Sequence, residues 1–296
     1  MPRVLLIFVD GVGIGLRDPG VNPLARFEPA IFAQFATDPP AKIHGSGFVT
    51  PTDATLGVDG LPQSATGQTT ILTGVNASKF LGSHLSGFPN TALKQLLARE
   101  SVFVKLRDLG RSATFANSYT PGFFNRKQRP VSVTTAACLS AGVPLRTLED
   151  LASGDAVYQD FTHRYLRQIG FDLPLRTPEQ SGANLARIAS RYSFTLYEYF
   201  ITDLVGHACD MALAVEVLEN LERFICSVLE EIDQAEQLVL LTSDHGNIED
   251  LSRKTHTLNR VPTLTWGHRA GEAFQRISSI EAVTPFILSV LTDFRP

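Results

Sequence analysis

The runs VLLIFV at 4–9 and LVLLTS at 238–243 are almost unbroken in branched apolar side chains, and each stops at an aspartate, Asp10 and Asp244. A strand with one face in water alternates apolar and polar residues. An unbroken apolar strand therefore requires a sheet covered on both faces. SATFAN (112–117), FTLYEYFI (194–201) ahead of Asp203, and VPTLTW (261–266) read as further strands. Between them, NTALKQLLARE (90–100), EQSGANLARIAS (179–190) and MALAVEVLENLERFICSVLEEI (211–232) carry helical periodicity, clearest in the last. This alternation predicts an α/β three-layer sandwich with a mostly parallel central sheet. The stretch 119–178, which includes TPGFFNRKQRPVS, breaks the rhythm and reads as a small cap insertion. It leaves 1–118 and 179–296 as the catalytic core.

Composition narrows the function. With 44% hydrophobic and 19% charged residues and a net charge of −4, the chain lacks the basic excess of a nucleic-acid binder. No apolar run reaches the ~18 residues of a membrane span. Cys138, Cys209 and Cys226 are far apart with no CxxC pair, as expected in a reducing compartment. The short run at 4–9 does not resemble a signal peptide, so the expected location is the cytoplasm.

In an open α/β sheet, ligands bind at the carboxyl ends of the strands. There the chain offers Asp10, Asp203 and Asp244, accompanied by three histidines. His207 follows Asp203 at i+4 in DLVGH, His245 adjoins Asp244 in SDHGN, and His256 lies in THTLNRVP. A carboxylate and imidazole set without cysteine suits zinc or manganese. Six such residues suffice for two divalent ions with three protein ligands each, leaving positions open for substrate. Ser64 lies in LPQSATGQTTILTG (61–74), among small residues that let a phosphate approach the backbone. A helix starting near Ala65 would turn free N–H groups toward phosphoryl oxygens. The competing role for Ser64 is a helix N-cap.

VLLIFVDGVG at 4–13, QSATGQTTILTG at 63–74, DLVGH at 203–207, SDHGN at 243–247 and THTLNRVP at 255–262 occur in one order across nearly the whole chain. In these motifs the sequence resembles the alkaline phosphatase superfamily, specifically its branch with cofactor-independent phosphoglycerate mutase and phosphopentomutase. The resemblance implies that Asp10, Asp244 and His245 bind one metal, and that Asp203, His207 and His256 bind the other. It also implies that Ser64 is the phosphorylated nucleophile and touches the first metal. Two departures stand out. The mutases carry a histidine four residues after the nucleophile, where this chain has Gln68. They also carry a large cap that keeps water from the phosphoenzyme, where only about 60 residues are available here.

Other candidates are weaker. Arg126, with Lys127 and Arg129, could hold a substrate phosphate or carboxylate from the cap. Arg253, Lys254 and Arg260 flank His256, and Asn247 follows His245 closely enough to bond a phosphate. His84, Phe123, Phe124 and Trp266 read equally well as loop or core residues. The expected function is that of a two-metal phosphomonoesterase. It would hydrolyse a small phosphorylated metabolite through phosphoserine, with no nucleic-acid or membrane partner. The alternatives are a phosphomutase, with a homo-oligomer supplying the lid, a phosphodiesterase, and last a non-catalytic metal-binding scaffold.

Overall fold

A computed structural model describes residues 2–39, 41–125 and 130–292. Strands β1 (Arg3–Val9), β2 (Phe48–Thr52), β3 (Ala113–Phe115), β4 (Phe194–Tyr199), β5 (Gln237–Thr242) and β6 (Val261–Gly267) form one sheet in the order β2-β6-β5-β1-β4-β3. β1 pairs in parallel with both β4 and β5, and β3 with β4, whereas β6 runs antiparallel to β5 and to β2.

The apolar runs are buried as their composition requires. Val4, Leu6 and Phe8 of β1 pack with side chains of the helices Ser64–Thr73, Thr91–Glu100, Val133–Ala141 and Val283–Thr292. Leu5, Ile7 and Val9 point the other way, toward the helices Pro178–Ala189 and Met211–Glu231. Each fully buried side chain of this kind stabilises by about 1.5–3 kcal/mol. Two helical layers thus enclose the central strands, which gives the three-layer sandwich.

Several local readings change. β2 was hidden by Pro51 in FVTPT, a residue that argues against a strand. It is tolerated because β2 lies at the sheet edge, where one side of the backbone needs no partner. β4 ends at Tyr199 rather than at 201, and the helix Ile201–Ala208 begins at once. Thr202 Oγ1 donates to the Asp10 carbonyl at 2.6 Å, which turns the chain out of the sheet. Within 119–178, Val133, Ala137, Cys138 and Ala141 enter the core on the Ser64 side, while Leu151, Ala156, Tyr158 and Leu166 form a small cluster of their own. Among the described residues no helix is long and apolar enough to cross a membrane.

Candidate active site

Strand order places the site. With β1 between β4 and β5, the segments that leave their carboxyl ends carry Asp10, Asp203 and Asp244 into one neighbourhood. The backbone there is shaped by glycine. Gly11 has φ +70°, and a Cβ on it would stand 2.7 Å from Asp203 Oδ1. Only glycine lets the two acids approach this closely.

Asp10, Asp244 and His245 are buried, and their ligand-type atoms lie within 4.8 Å of one another. His245 Nε2 is 3.2 Å from Asp10 Oδ1 and 3.6 Å from Asp244 Oδ2. Asp203, His207 and His256 form a second group. Asp203 Oδ2 is 3.4 Å from His207 Nε2, Asp203 Oδ1 is 3.7 Å from His256 Nε2, and the two Nε2 atoms are 3.3 Å apart. The groups adjoin, because the His245 and His256 rings stack at 3.6 Å and His245 also falls within reach of Asp203 and His256.

The donor chemistry fits cations. His207 Nδ1 bonds the Lys254 carbonyl and His256 Nδ1 the Pro62 carbonyl, both at 2.8 Å. A carbonyl can only accept, so each Nδ1 carries the proton and each Nε2 presents a lone pair to the other. Two lone pairs at 3.3 Å beside a carboxylate call for a positive charge between them. Asp10 Oδ1 is likewise buried and, apart from its 3.2 Å approach to His245 Nε2, has no polar partner among the described residues. Burial, and then the Asp10 charge, hold the Asp244 carboxyl far above the ordinary range. Burial opposes an imidazolium at His245, yet Asp244 and Asp10 outweigh it and push the ring up to about 10. Burial and the His245 charge press His256 down. Two buried carboxylates thus draw on His245 for a counter-charge, a role that a divalent ion fills more fully.

Ser64 is the first residue of its helix, Gln63 is the cap, and no side chain caps this end. Its hydroxyl is therefore free of the N-cap role, and Oγ lies 3.0 Å from His245 Nε2. The Thr66 and Gly67 N–H groups bond the Leu85 and Gln63 carbonyls, whereas those of Ser64 and Ala65 have no acceptor among the described residues. They are suited to an anion at Oγ. The helix reaches this depth because a Cβ on Gly67 would meet Asp244 Cβ at 2.8 Å. Gly67→Ala should cost about 1–3 kcal/mol and shift Ser64 from the cluster. An unchanged melting temperature and rate would refute this close packing.

Glu249, and the bracing roles of Gln68 and Asn247, escaped the sequence reading. Gln68 Nε2 donates to Asp10 Oδ2 at 3.1 Å and Asp244 Oδ2 at 3.4 Å, bracing the acids. Glu249, fully buried, accepts from the N–H groups of Gly13 and Asn247 and from Thr257 and Asn259, tying four loop positions together. Its only signal was its place in SDHGNIED. Asn247 donates to Asp203 Oδ1 at 2.7 Å, so it orients a carboxylate.

Arg253 pairs with Asp250, and Arg260 donates to the Pro51 carbonyl. Arg126, Lys127 and Arg129 lie outside the described residues. His84 spends both ring nitrogens on Ser78 and the Val58 carbonyl, and Trp266 is core.

Residues 176–292 match the family model described as Metalloenzyme superfamily. A stretch covering 40% of this chain is 30% identical to the 2,3-bisphosphoglycerate-independent phosphoglycerate mutase of Moorella thermoacetica, over 24% of that protein. The mutase of the same name from Desulforudis audaxviator is 31% identical over 38% of this chain and 23% of its own length. The match thus spans about a quarter of these curated relatives. The PH0037 protein from Pyrococcus horikoshii superposes with a TM-score of 0.58 at 12% identity, over 100% of this chain and 98% of that one. The alkaline phosphatase of the Antarctic bacterium TAB5 gives 0.51 at 11% identity, covering 98% of each chain. At such identities the structural likeness is one of fold. Residues 176–292 thus match the Metalloenzyme superfamily model, and the chain over its whole length has an alkaline phosphatase-like fold.

Proposed function

We propose that the chain is a two-metal phosphoryl-transfer enzyme that hydrolyses phosphate monoesters of small metabolites. One observation carries this reading: Ser64 Oγ stands at an uncapped helix start, 3.0 Å from a histidine that belongs to a buried two-carboxylate cluster. Asp10, Asp244, His245 and Ser64 would hold one divalent ion, manganese or zinc, and Asp203, His207 and His256 the other. When bound, such ions neutralise phosphoryl oxygens and favour the ionised serine.

The residues do the rest. The Ser64 and Ala65 N–H groups orient a phosphoryl oxygen. Ser64 loses its proton and bonds to phosphorus, and the ester oxygen leaves with the bonding pair and takes up a proton. Water then cleaves the phosphoserine, returning the Ser64 hydroxyl and releasing inorganic phosphate. Gln68 and Asn247 keep the carboxylates in place throughout.

Two observations favour hydrolysis over isomerisation. Gln68 takes the place of a histidine in the mutases and is occupied by Asp10 and Asp244. Part of 119–178 is also spent on the core, which leaves less chain to shield a phosphoserine from water. The mutase names of the curated relatives support the second reading. Turnover in oxygen-18 water separates them. The expected result is label in released phosphate, in proportion to turnover. Isomerised product without phosphate release would establish the mutase.

A further inference from the structure

Glu249 is fully buried, yet it belongs to neither candidate cation group. Its two oxygens face different parts of the site. Oε2 accepts from the Gly13 N–H at 2.8 Å and from the Asn247 N–H at 2.7 Å. Gly13 follows Asp10 beyond β1, and Asn247 follows Asp244 and His245 beyond β5, so Oε2 holds both loops of the first cluster. Oε1 accepts from Thr257 Oγ1 and, at 3.0 Å, from Asn259 Nδ2. Thr257 adjoins His256, so Oε1 holds the segment that brings a ligand to the second cluster.

A carboxylate has about four acceptor positions, and these donors take them all. Glu249 therefore has none left for a cation or a substrate and acts only through the residues it holds. The fit is close: a Cβ on Gly13 or on Gly246 would collide with Glu249 Oε1, so the carboxylate lies against the backbone of both loops. Backbone bonds from Ile248 to the Gly11 carbonyl and from Thr257 to the Gly246 carbonyl, both at 3.0 Å, lay the three segments side by side without it. What those bonds leave open is the spacing of the side chains. Short hydrogen bonds to a charged group fix that spacing.

We propose that Glu249 is a positioning residue that sets His256 of the second cluster against Asp10, Asp244 and His245 of the first, one carboxylate oxygen serving each side. This assignment rests on the two-ion site of the proposed function and not on hydrolysis itself. Glu249→Gln separates the two sides. Backbone N–H groups cannot turn to accept, so the one remaining oxygen serves Gly13 and Asn247. The amide NH2 then faces Thr257 and Asn259, which are donors there, and the link to His256 is the one that breaks.

Manganese binding to the whole chain, measured by calorimetry, tests this without turnover. Asp244→Asn and His207→Ala mark which of the two binding steps belongs to each cluster. Glu249→Gln should weaken the step that His207→Ala marks by about 10–100-fold and leave the other within about threefold. Thr257→Val removes the donor at the far end of the link and keeps the backbone bond to Gly246. It should show the same selective loss, and it keeps the test open if Glu249→Gln does not fold. The two changes combined should stay within about twofold of the larger single loss, because both break one link. Equal weakening of both steps, weakening of neither, loss confined to the step that Asp244→Asn marks, or losses that simply add, each overturns the proposal. A parent chain that binds fewer than two manganese ions overturns both the positioning role and the two-ion site beneath it. If the selective loss is found but the parent turns over no phosphate ester, the positioning role stands and phosphoryl transfer falls.

Discussion

Ser64→Ala should lower kcat/KM for phosphate-ester hydrolysis by at least about a thousandfold, since in the proposed route it removes the atom that bonds to phosphorus. The fold should survive. Ser64 caps no helix, and the only hydrogen bond that its side chain makes among the described residues is to His245. Rapid quenching followed by intact-mass measurement should show a phosphoryl adduct on the parent protein and none on the alanine variant. Ser64→Thr keeps the hydroxyl and should retain part of the rate. An alanine variant with the parent's turnover would mean that water attacks phosphorus directly.

The second large effect concerns charge. Removing metal with a chelator should abolish turnover, with recovery on adding manganese or zinc. It should also make stability depend on pH in a particular direction. In the metal-free protein Asp244 is held far above its ordinary value by burial and by Asp10. The folded state therefore keeps a proton that the unfolded chain has lost. Stability is highest below the unfolded value near pH 4, and it falls as pH rises through the folded value. Saturating metal should reverse this loss at neutral pH, contributing about 4 kcal/mol at a thousandfold excess over Kd. Asp244→Asn should act with both signs: a higher melting temperature without metal at pH 8, and a much smaller gain on adding metal. An asparagine variant with the full metal response would remove Asp244 from the binding set.

The layered architecture was legible because it depends on local period and composition. Apolar runs of six residues in β1 and four in β5 cannot face water, so both had to be central strands, and the 211–231 helix showed its buried stripe at helical spacing. β2 was not legible, since whether Pro51 is tolerated depends on which strand lies at the edge. At the site, the positions of Asp10 and Asp244 just beyond strands could be read directly, as could the i, i+4 spacing of Asp203 and His207.

Their partnerships could not. Ser64 meets His245 across 181 residues, His256 meets the Pro62 carbonyl across 194, and Gln68 reaches Asp10 across 58. These contacts exist only because β1 is inserted between β4 and β5 and the Ser64 helix seats a glycine on Asp244. Glu198 shows the same division. Its alternation on β4 is written locally, but its partner Thr134 comes from 64 residues away in the chain. Local pattern and composition are enough to say which segments must be buried and which residue types could bind cations or attack phosphorus. The tertiary structure alone decided which of them meet, because desolvation and charge pairing act through distance in space and not along the chain.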